Sequence, residues 1–227
     1  MLPDPVCEMH EGFLVVRDDL LPGGTKRRAV HALFDDREEY VYASPVYGHA
    51  QVALAYAARD HGKRATIFCA ARADRHPLTA EAAAAGAKVV EVRPGYLGVV
   101  QARARAYCEQ TGAALMPFGF DDERFADMLT AVVRRMDVAP FEVWTVAGSG
   151  CLTRCLQRAW PAATFKAVRI GAAPDVGRAA LFTAPERYER PAEAPPPFPS
   201  CPTYDAKAWR FLKAHARPGA LFWNVAR

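Results

Sequence analysis

Apolar residues recur in short blocks, with stretches of helical spacing between them. FLVV (13–16), ATIFCA (65–70), KVVEV (88–92), AALMPF (113–118), EVWTVA (142–147) and TFKAVRIG (164–171) read as strands, and VYAS (41–44) as a strand or loop. The spacing predicts helices over about 26–34, 48–62, 78–87, 98–110, 122–136 and 152–160. Gly62 stops the second of these, and Thr79 is the candidate N-cap of the third. Residues 184–202, APERYERPAEAPPPFPSCP, form a proline-rich connector, and the tail after it carries one helix and one apolar strand. Strands alternating with helices imply an α/β fold with parallel sheets covered by helices.

Composition narrows the class without naming a chemistry. The chain has 227 residues, 51% of them hydrophobic, enough to bury a sizeable core. A net charge of +4 allows an anionic ligand and does not demand nucleic acid. No apolar run approaches the roughly 20 residues of a membrane span. The start, MLPDPVCEMHEG, lacks the basic end and apolar stretch of a signal peptide. Six cysteines without a CxxC pair fit a reduced, cytoplasmic setting. Cys151 and Cys155 share a helix face, but a tetrahedral zinc site needs more ligands than their neighbourhood offers, so no metal is expected.

Two glycine turns could carry chemistry. FLVVRDDLLPGGTKRRAV (13–30) places two acids, a Gly-Gly-Thr turn and Lys26 after a strand. One reading makes Asp18 and Asp19 the ribose ligands, and the glycine turn the phosphate loop, of a phosphoribosyl transferase. The other makes Lys26 the reactive group, with Arg27 and Arg28 as solvated helix charges and the acids shaping the turn or pairing with arginines. The second turn, VWTVAGSGCLTRCLQ, is a strand, a glycine turn and a helix. Its free backbone N–H groups make an anion cradle, with Ser149 and Thr153 as hydroxyl donors. It has no GxxxxGK[ST] and no acid at the dinucleotide spacing, which sets aside a nucleoside-triphosphate loop and NAD.

Taken in order, VVRDDLLPGGTKRR, ASPVYGHAQVALAYAARDHGKRATIF, GAKVVEV, ALMPFGFDD and VWTVAGSGCLTR resemble the fold-type II (tryptophan synthase β-like) pyridoxal phosphate enzymes. The nearest groups are 1-aminocyclopropane-1-carboxylate deaminase and threonine dehydratase. The resemblance covers residues 13–171 well and 203–227 loosely. It implies two three-layer αβα parallel-sheet domains with the C-terminal part reduced. The larger, cofactor-binding domain would comprise 1–43 and 137–227, and a smaller inserted domain 44–136. It further implies that Lys26 forms a Schiff base with pyridoxal 5'-phosphate, and that Gly148, Ser149, Gly150, Cys151, Leu152 and Thr153 hold the phosphate. Ser44, Tyr47, Gly48 and His49 would face the substrate's carboxylate or the ring's 3-oxygen. Ungapped, His49 falls at the asparagine that contacts that oxygen; shifted by one, His49-Ala50-Gln51 match the HAQ letters of the dehydratases. His49 is also a candidate proton shuttle.

Tyr204 resembles a late tyrosine beside the cofactor, and Asn224 is the positional candidate for the ring-nitrogen partner, usually a Ser, Thr, Cys or Glu. The reaction implied is α-carbanion chemistry on a small amino acid, of lyase or deaminase type, in a homodimer. Alternatives are a viral-type enzyme acting on an amino-acid-modified thymine in DNA, in a host cytoplasm, and a binder of pyridoxal phosphate or another phosphate that no longer turns over.

Overall fold

The computed structural model describes residues 2–171 and 173–227. The chain divides into a larger unit, formed by the residues up to Arg28 with Ala126–Arg227, and a smaller unit, Ala29–Phe125. In chain order the elements are β1 (Cys7–His10), β2 (Phe13–Arg17), α1 (Gly24–Arg27), β3 (Glu39–Ala43), α2 (Ala50–Asp60), β4 (Arg64–Ala70), α3 (Pro77–Ala84), β5 (Lys88–Val92), α4 (Leu97–Thr111) and β6 (Ala114–Leu115). There follow α5 (Glu123–Arg134), β7 (Glu142–Ala147), α6 (Cys151–Ala159), β8 (Thr164–Arg169), β9 (Ala180–Thr183), α7 (Trp209–His215) and β10 (Leu221–Asn224).

The larger unit holds a six-stranded sheet, order β1-β2-β10-β7-β8-β9. Every residue of β7 and β10 is buried, as befits central parallel strands covered on both faces. Phe13, Trp144, Val168, Trp209 and Phe222 belong to one apolar cluster of this unit. All its pairings are parallel except the β1–β2 hairpin. The sequence pattern did not reveal β1 or β9.

The smaller unit holds a parallel four-stranded sheet, order β5-β4-β3-β6. β3 pairs with β4 and β6, so Glu39–Ala43 lie in the smaller sheet, whereas the sequence boundary at 43/44 put them with the larger domain.

Three local expectations change. The helix expected over 26–34 is two short pieces, α1 and a 3-10 turn at Val30–Leu33, because Ala29 leaves helical geometry at φ −128°. The strand expected over 113–118 keeps only Ala114–Leu115; Pro117 has no N–H to donate, and Gly119 turns left-handed at φ 70°. The N-cap of α3 is His76, whose ring nitrogen accepts from Leu78 N–H. Pro77 stands at the first helical position, so Thr79 sits inside the helix, where its hydroxyl donates to Gln51 Oε1 at 3.0 Å.

No helix or strand interrupts residues 184–202. That connector is tethered by side chains. The buried Lys207 ammonium donates to the Arg187 and Tyr188 carbonyls at 2.9 and 3.3 Å, and Arg210 pairs with Glu186 at 2.5 Å.

Candidate functional site

In the larger unit, β2, β10 and β7 run parallel and deliver three chain segments to one end of the sheet. Ligands of open α/β sheets bind outside the carboxyl ends of the strands. β2 leads into the turn that presents Lys26, β7 leads into Gly148–Gly150, and β10 leads into Val225 and Ala226.

The Lys26 turn is fixed by buried charge. Asp18 is fully buried; its Oδ1 accepts from Arg28, and its Oδ2 accepts from the Thr25 hydroxyl at 2.7 Å and the Trp223 indole at 3.2 Å. Asp19 takes both nitrogens of an Arg17 fork at 2.8 Å. These acids are spent on arginines and on the turn, which leaves them no place on a ribose and sets the phosphoribosyl reading aside. Arg28 is buried, a correction to its expected place among solvated charges; its partner Asp18 is what draws it in. Gly24, at φ 64°, lies so close to the Val225 carbonyl that any Cβ would collide with it. Lys26 follows two residues on in the same short helix, and its charge reaches the Cys155 thiol on α6. The Cys155 thiol is nevertheless pushed up, first by its hydrogen bond with Cys151 and then by burial.

The cradle is the start of α6. Gly150 caps the helix at φ 82°, and a Cβ there would strike the Asp175 carbonyl. The first-turn N–H groups of a helix have no intrahelical acceptors, so this nine-residue helix directs donors and its dipole at the turn. Two expected donors are occupied. The Thr153 hydroxyl bonds Thr145 on β7 at 2.8 Å, fully buried, and Gly148 N–H donates to the Tyr204 hydroxyl at 2.8 Å. Ser149 Oγ lies 3.4 Å from Cys151 N, which it accepts.

Tyr204 thus braces the cradle, and burial pushes its hydroxyl's pKa up. The next residue, Asp205, is fully buried. Its Oδ2 accepts from Ala226 N–H at 3.2 Å, while its Oδ1 is buried with no hydrogen-bond partner among the described residues. Burial, more than the charges of Asp19 and Asp18, holds this carboxyl well above the usual range. Asn224 is different. Its amide donates to Asp19 Oδ1 at 2.7 Å and Pro199 O at 2.8 Å, and its oxygen accepts from Ser200 at 2.8 Å. Both amide hydrogens are used within the chain, so Asn224 has no donor left for a ring nitrogen. Asp205, which the sequence analysis did not single out, is marked in the sequence only as an acid directly after Tyr204.

In the smaller unit, Ser44, Tyr47, Gly48 and His49 form the loop from β3 to α2. Ser44 Oγ donates to Pro45 O at 2.8 Å, and Gln51 Nε2 stitches the loop through Val46 O and Gly48 O, each at 3.1 Å. His49 Nε2 is buried without a partner among the described residues. Burial first, and His76 second, drive the His49 pKa down to about 4. The ring is neutral at pH 7, which removes the basis for a proton shuttle working near its reference pKa.

No known family model matches the chain, and neither does any curated protein. Solved structures do. An ACC deaminase homologue superposes with TM-score 0.83 over 99% of this chain and 90% of its own, at 14% identity. The chain has the fold-type II architecture. Diaminopropionate ammonia lyase from Escherichia coli, in apo form, matches with TM-score 0.66 at 13% identity, over 94% of this chain and 77% of that one. Threonine deaminase isoform 2 from Solanum lycopersicum, in its processed form, matches with TM-score 0.62 at 17% identity, over 73% of this chain and 50% of that one. The fold-type II architecture inferred from the order of motifs is therefore present, at identities that speak for the fold alone.

Proposed function

We propose that the protein is a pyridoxal phosphate-dependent enzyme acting on an amino acid or amino-acid-like substrate, of lyase or deaminase type. The observation that carries this reading is the buried, half-partnered Asp205 at the same end of the sheet as the Lys26 turn and the α6 cradle. An anion cradle, a lysine and an orphaned acid are the three groups a phosphorylated pyridine aldehyde needs, and the residues fit it. The named activities of the structural neighbours, deaminases and an ammonia lyase, agree.

When bound, pyridoxal phosphate supplies a carbonyl carbon for amines and a ring that draws electrons from the substrate's α-carbon. Lys26 Nζ would be the amine that holds the cofactor's carbonyl carbon, and the same nitrogen would carry a proton to or from the substrate's α-carbon. The backbone N–H groups of Ser149, Gly150, Cys151, Leu152 and Thr153 hold the phosphate, with Gly148 and Tyr204 keeping the cradle in shape. Asp205 Oδ1 holds the ring nitrogen. Ser44, Tyr47, Gly48 and His49 take the substrate's carboxylate or the ring oxygen. We place the cofactor-binding role in the domain built from both chain ends, and propose a homodimer in a reducing cytoplasm, a setting in keeping with six free cysteines.

The test is an ultraviolet-visible spectrum of the protein with added pyridoxal phosphate, beside Lys26→Ala. A band of lysine-bound cofactor that the substitution removes is expected; its absence in the wild type overturns the reading. Screening then separates the substrates. A spectral response to amino-acid-modified DNA, with none to free amino acids, would move the assignment to a base-modifying enzyme. Bound cofactor without product from either class would make the protein a binder.

A further inference from the structure

The loop after β4 brings a basic cluster to the β3–α2 loop of the smaller unit. The Arg72 guanidinium lies over the Tyr47 ring at 5.9 Å, and the His76 ring meets the same Tyr47 edge-on at 4.7 Å. His76 Nδ1 accepts from Leu78 N–H, so its Nε2 is the nitrogen that carries the proton. The buried, unpartnered His49 Nε2 belongs to the same group, close enough for His76 to act on it electrostatically. Arg72 forms no ion pair among the described residues. Its neighbour Arg75 is tied to Glu91 at 3.2 Å, and the exposed Asp74 takes no ion pair among the described residues. A cation and a ring N–H thus meet one tyrosine at the carboxyl ends of adjacent parallel strands, and the buried His49 lies within electrostatic reach of the His76 ring; no acid is paired to Arg72 among the described residues. With the Ser44–His49 loop proposed above for the substrate's carboxylate or the ring oxygen, the Arg72 cation and the His76 N–H are additional donors.

We propose that the substrate handled by this loop carries a second anionic group, a side-chain carboxylate or a phosphate, which Arg72 and His76 recognise beside the Tyr47 ring. The inference rests on the amino-acid reading above and deepens it to acidic or phosphorylated amino acids. Hydrogen bonds to a charged partner are worth about 1.5–3 kcal/mol, or roughly a tenfold or greater preference in binding.

The experiment titrates the protein, incubated with pyridoxal phosphate, with L-aspartate, O-phospho-L-serine, L-serine and L-alanine. It follows both the cofactor band and the histidine ring signals by nuclear magnetic resonance. The two anionic ligands are expected to bind about tenfold or more tightly than the neutral pair, and to move the His76 signal. Whichever of the two binds tighter names the anion. Arg72→Ala is expected to collapse that preference, and Arg72→Lys to keep part of it; the residue is exposed, so the fold tolerates both. Equal binding of neutral and anionic ligands overturns the proposal, as does a preference that Arg72→Ala leaves intact. If no cofactor band forms but aspartate or phosphoserine still moves His76, the cofactor reading fails and the anion site stands.

Discussion

Asp18 and Asp205 are both fully buried acids at one end of the same sheet, and they are in opposite states. Asp18 is saturated: Arg28, Thr25 and Trp223 all donate to it, from 7 to 205 residues away in sequence. Asp205 accepts only from backbone N–H groups, with Ala226 on Oδ2 at 3.2 Å, and has no partner on Oδ1 among the described residues. Burial without partners is expensive, and a fold retains it when something else supplies the missing bond. Asp18 is therefore scaffold, whereas Asp205 keeps an unmet acceptor and is the acid proposed above to meet the cofactor; nothing in their residue type separates them.

The comparison can be broken most forcefully at the paired acid. Arg28→Ala leaves Asp18 as a buried charge without its cation, and is expected to lose about 3–5 kcal/mol in denaturant unfolding. A loss under about 1 kcal/mol would mean that Thr25 and Trp223 suffice. Gly24→Ala comes next. It forces a left-handed Cβ, at about 1–2 kcal/mol, and adds the collision with Val225, so a drop in melting temperature is expected together with loss of the Lys26-dependent band.

Asp205→Asn should have the opposite sign. The folded-state pKa of Asp205 lies above its unfolded value, so its contribution to stability is present below the unfolded pKa, near 3.9, and declines as pH rises towards the folded pKa. The amide variant carries no such proton. Cofactor-free Asp205→Asn is expected to be more stable than wild type at neutral pH, with a flatter pH profile above about pH 4, while binding pyridoxal phosphate more weakly. Lower stability together with unchanged cofactor binding would reverse the assignment of Asp205. The smallest effect belongs to Ser200→Ala. It removes one neutral hydrogen bond to Asn224 and should cost about 1 kcal/mol in unfolding, without altering the cofactor spectrum.

The contrast also explains what could be read from the chain. β5 and β7 carry the bounds expected of them because KVVEV and EVWTVA are short valine-rich runs, closed by Arg93-Pro94 and by Gly148. Local chemistry was present but undervalued at Pro77, which fixes the start of α3 and so makes His76 the cap. β1 escaped notice because CEMH alternates poorly and takes its place only through the hairpin with β2. The partners of Asn224 lie at Asp19, Pro199 and Ser200, and burial of Asp205 depends on Ala226, so neither state is visible in a local window. Lys26 and the glycine cradle stood out because both rest on neighbours in sequence.

The connector at 184–202 has a different consequence. From Phe198 on it is held by the apolar core and by Asn224, but the part before that lacks a ladder of backbone bonds, and its Lys207 and Arg210 tethers are a few independent side-chain contacts. Such a segment opens by local unfolding at a lower free energy than the sheet beside it. Its amides should exchange with deuterium well before those of β7 and β10, and a protease should first nick the chain there. Because the connector joins β9 to α7, such a cut would separate the Lys26 turn and α6 in one fragment from Tyr204, Asp205 and β10 in the other.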